Sequence, residues 1–168
     1  MQFIDEWPAY APSEILPGLF QGGTEDDEVL GYPAPSDHYR TDCPFDLIVT
    51  LYADAMPAPW GVQEMRYGFP DGRLEAKSID TVLGLAHAAY ASWTFGEQVL
   101  IRCQAGVNRS GLVTALVLMM AGMTADQAIA LIRAKRSPLA LSNAHFERWL
   151  REEAEIRLNP SSRRTDAA

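Results

Sequence analysis

The sequence predicts a single-domain α/β fold, a central and mostly parallel sheet flanked by helices. Three observations predict it. The 168 residues fall within the size of one domain. Residues 47–52 (Leu-Ile-Val-Thr-Leu-Tyr) and 98–101 (Gln-Val-Leu-Ile) are near-continuous apolar runs, the pattern of strands buried on both faces. Beyond position 75, apolar residues recur at three- and four-residue steps, so helices pack against that sheet. Residues 1–158 are expected to form the domain and 159–168, polar and small, a disordered tail.

The elements follow in order. The first half is punctuated by proline, and residues 19–21 form a brief extended piece that stops at Gly22-Gly23. Residues 31–43 read as an irregular excursion, with Gly31, Pro33 and Pro35 as breakers. The run 47–52 is a buried strand, and 64–69 is a weaker strand ended by the turn Pro70-Asp71-Gly72. Ile79, Val82, Leu83, Ala86, Tyr90 and Trp93 share one helix face, and Gly96 closes that helix. After the strand at 98–101, residues 112–120 are apolar all round and so form a core helix. Thr124 caps a helix with Ala128, Ile129, Leu131 and Ile132 inward, stopping before Pro138. Ser142 or Asn143 caps a last helix carrying Phe146, Trp149, Leu150 and Ile156, stopped by Asn159-Pro160.

Composition narrows the function. A net charge of −8 argues against nucleic acid and against an anionic membrane surface, both of which are held by clustered Lys and Arg. No run approaches the length of a membrane span, and the first residues lack the pattern of a signal peptide. Two cysteines make neither a disulfide framework nor a four-ligand zinc site, so a reducing, cytoplasmic setting is expected. His38, His87 and His145 do not fall at metal-ligand spacing, and no metal or cofactor is expected.

The chemistry concentrates where the buried strand gives way to the core helix, at Arg102-Cys103-Gln104-Ala105-Gly106-Val107-Asn108-Arg109-Ser110-Gly111. In such sheets, sites gather at the carboxyl ends of strands. A helix N-terminus presents unpaired N–H groups and about half a positive charge. A tight loop of amides from Gln104 to Arg109 makes an anion nest, with Gly106 free to take a positive φ. Arg109 adds a planar fork that can grip two oxygens of a phosphate, sulfate or vanadate. In that field Cys103 is favoured as the thiolate, the nucleophilic form.

This strand–Cys–Gly–Arg–Ser–helix segment resembles the cysteine-dependent protein phosphatases, most closely the compact dual-specificity branch, whose signature is Cys-x5-Arg-Ser/Thr. The resemblance runs from about Leu16 to Leu150. It implies a dual-specificity-phosphatase-like fold and a metal-independent phosphomonoesterase acting through a phosphocysteine. Cys103 matches the nucleophile, Arg109 the phosphate-binding arginine and Ser110 the hydroxyl that assists thiol departure. Residues 15–23 look like the family's opening strand, and Asn143 like its late Asn that steadies the phosphate loop. Phe69-Pro70-Asp71-Gly72 resembles its aromatic-Pro-Asp pattern, so Asp71, 32 residues before the nucleophile, is implied as general acid and then general base. Asp54 and Asp80 are reserves. One position departs: the family usually has His before the nucleophile, and here Arg102 stands, either salt-bridged away from the cysteine or supporting the loop.

Other residues are set aside. Cys43 is read as an inert thiol, His87 as packed, His145 as exposed, and residues 24–28 as a solvated acidic turn. Arg133, Lys135 and Arg136 are read as complementing a helix dipole, with a second anion site as the alternative. Trp60, Trp93 and Trp149 are core or rim. The implied partner is a phosphorylated protein or peptide, phosphotyrosine favoured. No lysine lies between Cys103 and Arg109, which disfavours phosphoinositides. The rival readings are a phosphate-binding pseudophosphatase, a phosphatase of a non-protein substrate, and a sulfurtransferase or arsenate reductase on a similar loop.

Overall fold

The structure, a computed structural model, describes residues 11–24 and 43–158. The acidic turn beyond Thr24, the excursion at 31–42 with His38, and the tail from 159 lie outside the described residues. Among the described residues five strands form one sheet: β1 (Ser13–Leu16), β2 (Leu19–Gly22), β3 (Leu47–Thr50), β4 (Gln63–Arg66) and β5 (Val99–Arg102), in the order β1-β2-β5-β3-β4. β2, β5, β3 and β4 run parallel; only β1 is antiparallel, to β2. This is the mostly parallel α/β sheet expected. Residues 15–23 are not one opening strand, however. They turn at Pro17-Gly18, with Gly18 at φ +82°, into a β1–β2 hairpin. A positive φ there suits glycine and reverses the chain.

The helices are α1 (Ala76–Phe95), α2 (Arg109–Met120), α3 (Ala125–Lys135) and α4 (Ala144–Trp149), the last continuing through a π-helical turn (Leu150–Ala154) into α5 (Glu155–Leu158). Gly96, at φ +100°, ends α1, and Thr124 makes a capping box with Gln127 at the start of α3. Asn143, rather than Ser142, caps α4, accepting from the N–H groups of His145 and Phe146. α2 is buried along nearly its whole length, as its unbroken apolar sequence requires. The inward face of α1 is Ile79, Val82, Leu85, Ala86 and Ala89; Leu83, Tyr90 and Trp93 sit at its margin. Ala154, the last residue of the π-helical turn, and Leu158 beyond it face the core, and Ile156 faces out. Strands 47–52 and 64–69 stop early, at Thr50 and Arg66, where their chains leave the sheet to build loops beside β5. Among the described residues, no helix is long and apolar enough to cross a membrane.

Candidate active site

β5 lies at the centre of the sheet, all four residues buried, and delivers Cys103 at its carboxyl end. Cys103 is only 2% exposed. From there the chain loops over residues 104–108 and enters α2 at Arg109. The loop's shape comes from what holds its carbonyls. Gln104 O accepts from Thr24 N (2.7 Å), and Val107 O from Leu141 N (3.3 Å). Gly106 O accepts from Gln21 Nε2 (3.0 Å) and Arg136 Nε (3.1 Å), and Ala105 O from Arg136 Nη2 (3.5 Å). With four successive carbonyls drawn into the protein behind the loop, the amides are left for the opposite side. Gly106 sits at φ +67°, and a Cβ there would come within 2.4 Å of Gly22 C, so only glycine fits.

The open side of the loop is a pocket of about 290 Å³ lined by Asp71, Cys103, Gln104, Ala105, Val107, Asn108, Arg109, Leu139 and Ser142. Arg109 is aimed by its neighbours. Its Nη1 donates to Leu51 O (3.3 Å) and Phe69 O (3.2 Å), and its Cζ lies 5.3 Å from the centre of the Tyr52 ring. Its Nε is buried with no partner among the described residues. A buried donor left unmet is costly. Ser110 is fully buried in the first turn of α2, its Oγ 3.3 Å from Cys103 Sγ.

Asp71 reaches the same pocket from a different part of the chain. Phe69, buried beneath it, packs on Phe146 and stacks on Tyr67, with ring centres at 6.1 and 5.9 Å. Pro70 and Asp71 are then carried out over the loop of residues 104–108, exposed. Asn108 Nδ2 donates to Asp71 Oδ2 (3.0 Å), and Asn143 Nδ2 to Asp71 Oδ1 (2.8 Å) and Gly72 O (3.0 Å). Asp54 and Asp80 are exposed and do not line this pocket.

Arg102 turns away from the cysteine, as alternation along a strand allows. Its Nε donates to Thr50 Oγ1 (2.9 Å), and its Nη2 to Met56 O and, at 3.3 Å, Glu64. Arg66 joins the same carboxylate (3.0 Å) and holds the carbonyls of Ala53 and Ala55. Burial alone would push the Glu64 carboxyl up. The Thr50 hydroxyl, a backbone N–H and the two guanidiniums outweigh it and hold Glu64 below the usual glutamate range. This cluster braces the loop after β3, whose Leu51 O in turn receives Arg109.

Sequence reasoning missed two supports of the loop. Arg136 is buried and binds the loop's carbonyls together with Ala11 O and Ser13 Oγ, so it does not serve as a surface cation at a helix end. Gln21 is its companion on β2. Arg133 holds Ala140 O, Leu141 O and Glu147. His87 is exposed on α1 rather than packed, and Trp60 is 82% exposed rather than core or rim. Among the described residues, no group of His, Cys, Asp and Glu is arranged to hold a metal.

Comparison with known proteins gives one consistent result. The family described as the dual specificity phosphatase catalytic domain matches residues 80–156. A mouse putative dual specificity phosphatase, solved with zinc tungstate, has a TM-score of 0.71 at 24% identity, covering 96% of this chain and 97% of its own. Human DUSP28 has a TM-score of 0.70 at 24% identity, covering 90% and 98%. The human tyrosine phosphatase-like serine/threonine/tyrosine-interacting protein has a TM-score of 0.69 at 23% identity, covering 89% and 99%. The curated protein sequences contain no match to this chain.

Proposed function

We propose that the chain is a cysteine-dependent phosphatase of the compact dual-specificity type, as the family match over residues 80–156 and the fold support, and that it hydrolyses phosphomonoesters of proteins or peptides through a phosphocysteine. The observation that carries this reading is the convergence of Cys103, Arg109 and Asp71 on one pocket. The Cys103 thiolate attacks phosphorus while Arg109 and the loop amides from Gln104 to Asn108 hold the equatorial oxygens. The bond to the leaving oxygen breaks, and Asp71 gives that oxygen its proton. Asp71 then takes a proton from water, which attacks phosphorus, and the sulfur leaves as thiolate with the Ser110 hydroxyl donating to it. Asn143 and Arg102 support the loops around the pocket. No metal is needed in this scheme, because the protein's own donors balance the charge.

The pocket favours a phosphorylated side chain presented on a peptide, phosphotyrosine first. Leu139 gives an aryl ring an apolar wall. The absence of lysine between Cys103 and Arg109 disfavours polyphosphorylated lipids. A reduced, cytoplasmic compartment suits a working thiolate.

The test is hydrolysis of an aryl phosphate in EDTA from about pH 5 to 8, wild type beside Cys103→Ser. We expect a bell-shaped rate that vanishes in the variant, while vanadate binding persists. Residual turnover in Cys103→Ser would remove the nucleophile. A wild type that binds vanadate or sulfate without turnover would make the protein a phosphate-binding pseudophosphatase.

A further inference from the structure

The side chain of Asn108 has a task that its place in the phosphate loop does not require. Its Oδ1 accepts from the backbone N–H of Asn143 (3.0 Å) and lies 3.3 Å from Ser142 Oγ, an O–H that donates to it. A backbone N–H can only donate, so Oδ1 must face that way and Nδ2 must face the other, onto Asp71 Oδ2 at 3.0 Å. The orientation of the amide is therefore dictated by chemistry. Asn143 is constrained in the same manner. Its Oδ1 is committed to the N–H groups of His145 and Phe146, which turns its Nδ2 onto Asp71 Oδ1.

One N–H thus meets each oxygen of Asp71. A carboxyl oxygen has two acceptor sites, so this grip leaves room for the proton that a general acid carries. The two grips differ in what they refer to. Asn143 belongs to the cap of α4, outside the phosphate loop. Asn108 belongs to the loop itself, one residue before Arg109. Its bond refers the acid directly to the loop, whereas Asn143 reaches the loop only through its N–H on Asn108.

We propose that Asn108 is a positioning residue that sets Asp71 against the phosphate loop, so that hydrolysis of esters with poor leaving groups depends on its side chain. The proposal rests on the reading of Asp71 as general acid. In the step that expels the leaving oxygen, a mispositioned acid matters where that oxygen needs a proton and little where it does not; the later attack of water, which Asp71 also serves, is common to both kinds of ester. Asn108→Ala removes the bond to Asp71. Asn108→Asp keeps the shape, removes the donor and sets a carboxylate against a carboxylate.

The experiment compares kcat and KM for phenyl phosphate, a poor leaving group, with those for 4-nitrophenyl phosphate, a good one. For Asn108→Ala we expect kcat on phenyl phosphate to fall about tenfold, with KM within about twofold, and a smaller fall on 4-nitrophenyl phosphate. Asn108→Asp should show a larger split of the same kind. Vanadate affinity should stay near wild type in Asn108→Ala, which excludes a damaged loop. In an Asp71→Asn background, Asn108→Ala should add nothing. Equal losses on both substrates with weaker vanadate binding would overturn the proposal, since Asn108 would then only hold the loop together. So would no loss at all while Asp71→Asn retains its own leaving-group dependence. If Asp71→Asn shows no such dependence, the reading of Asp71 as the acid fails, and the role of Asn108 fails with it.

Discussion

The loop of residues 104–108, proposed to hold phosphate, and the Asp71 segment meet at one pocket but are built by opposite means. In the first, four consecutive carbonyls have partners behind the loop, Cys103 and Ser110 are buried, and Gly106 is wedged against Gly22. In the second, one buried anchor, Phe69, is followed by exposed residues held by two asparagine amides. The first arrangement fixes donors before any ligand arrives, which is what stabilising charge in a transition state requires. The second allows small adjustment, which suits the role proposed for Asp71, to track a leaving oxygen and later a water. In the proposed mechanism, binding an oxyanion and donating a proton are therefore separable, and substitutions can be sorted by which of the two they damage.

The largest effect should come from the fixed part. Arg109→Lys keeps the charge but loses the two-pronged grip and the bonds to Leu51 O and Phe69 O, so kcat/KM should fall by about 10²–10³ and vanadate should bind more weakly. Unchanged vanadate affinity would mean that the loop amides alone hold the anion. Next comes Arg136→Ala, which removes a donor from two loop carbonyls without touching the pocket. It should lower stability by about 1–3 kcal/mol in denaturant titration and weaken vanadate binding, leaving the dependence on leaving group as in wild type. A changed leaving-group dependence would show that the two parts are not independent. The smallest effect lies furthest from the pocket. The Glu64 carboxyl is held below its ordinary value of 4.5, so its ionised form stabilises the fold fully above that value. That stabilisation is lost as pH falls through the lower, folded value. Thermal melts should therefore show wild type losing stability below pH 4.5 more steeply than Glu64→Gln. Parallel curves would rule out Glu64 as a contributor to acid sensitivity.

How much of this was legible in the sequence follows from how local each feature is. The step from β5 through the loop to α2 spans 99–120 without interruption, so apolar run, glycine and helix start could be read together. The caps at Thr124 and Asn143 and the stop at Gly96 are equally local. Arg136 and Gln21 were not legible as supports, because their bonds to Gly106 join positions 30 and 85 residues apart. Nothing near Arg136 marks it as buried; its neighbours Arg133 and Lys135 make it look like a surface cation. The turn within residues 15–23 was hidden because two strands of four residues each separated by Pro17-Gly18 read as one extended stretch. Alternation along β5 left Arg102 open between two roles, and only the positions of Thr50 and Glu64 on neighbouring strands decide its surroundings.

The wiring behind the phosphate loop bears on the order in which the protein can acquire its site. Thr24 and Gln21 come from near the start of the chain, Leu51 and Phe69 from its middle, and Leu141 from near its end. The segment 80–156, which alone matches the catalytic-domain family, contains the cysteine and arginine but lacks the first four of these partners. Such a fragment holds the motif without the frame that shapes it. An anion that binds only the framed loop binds only the folded chain, so it shifts the folding equilibrium by mass action. Ligand-induced gain in melting temperature thus reports the integrity of the whole domain, with the pocket as its gauge.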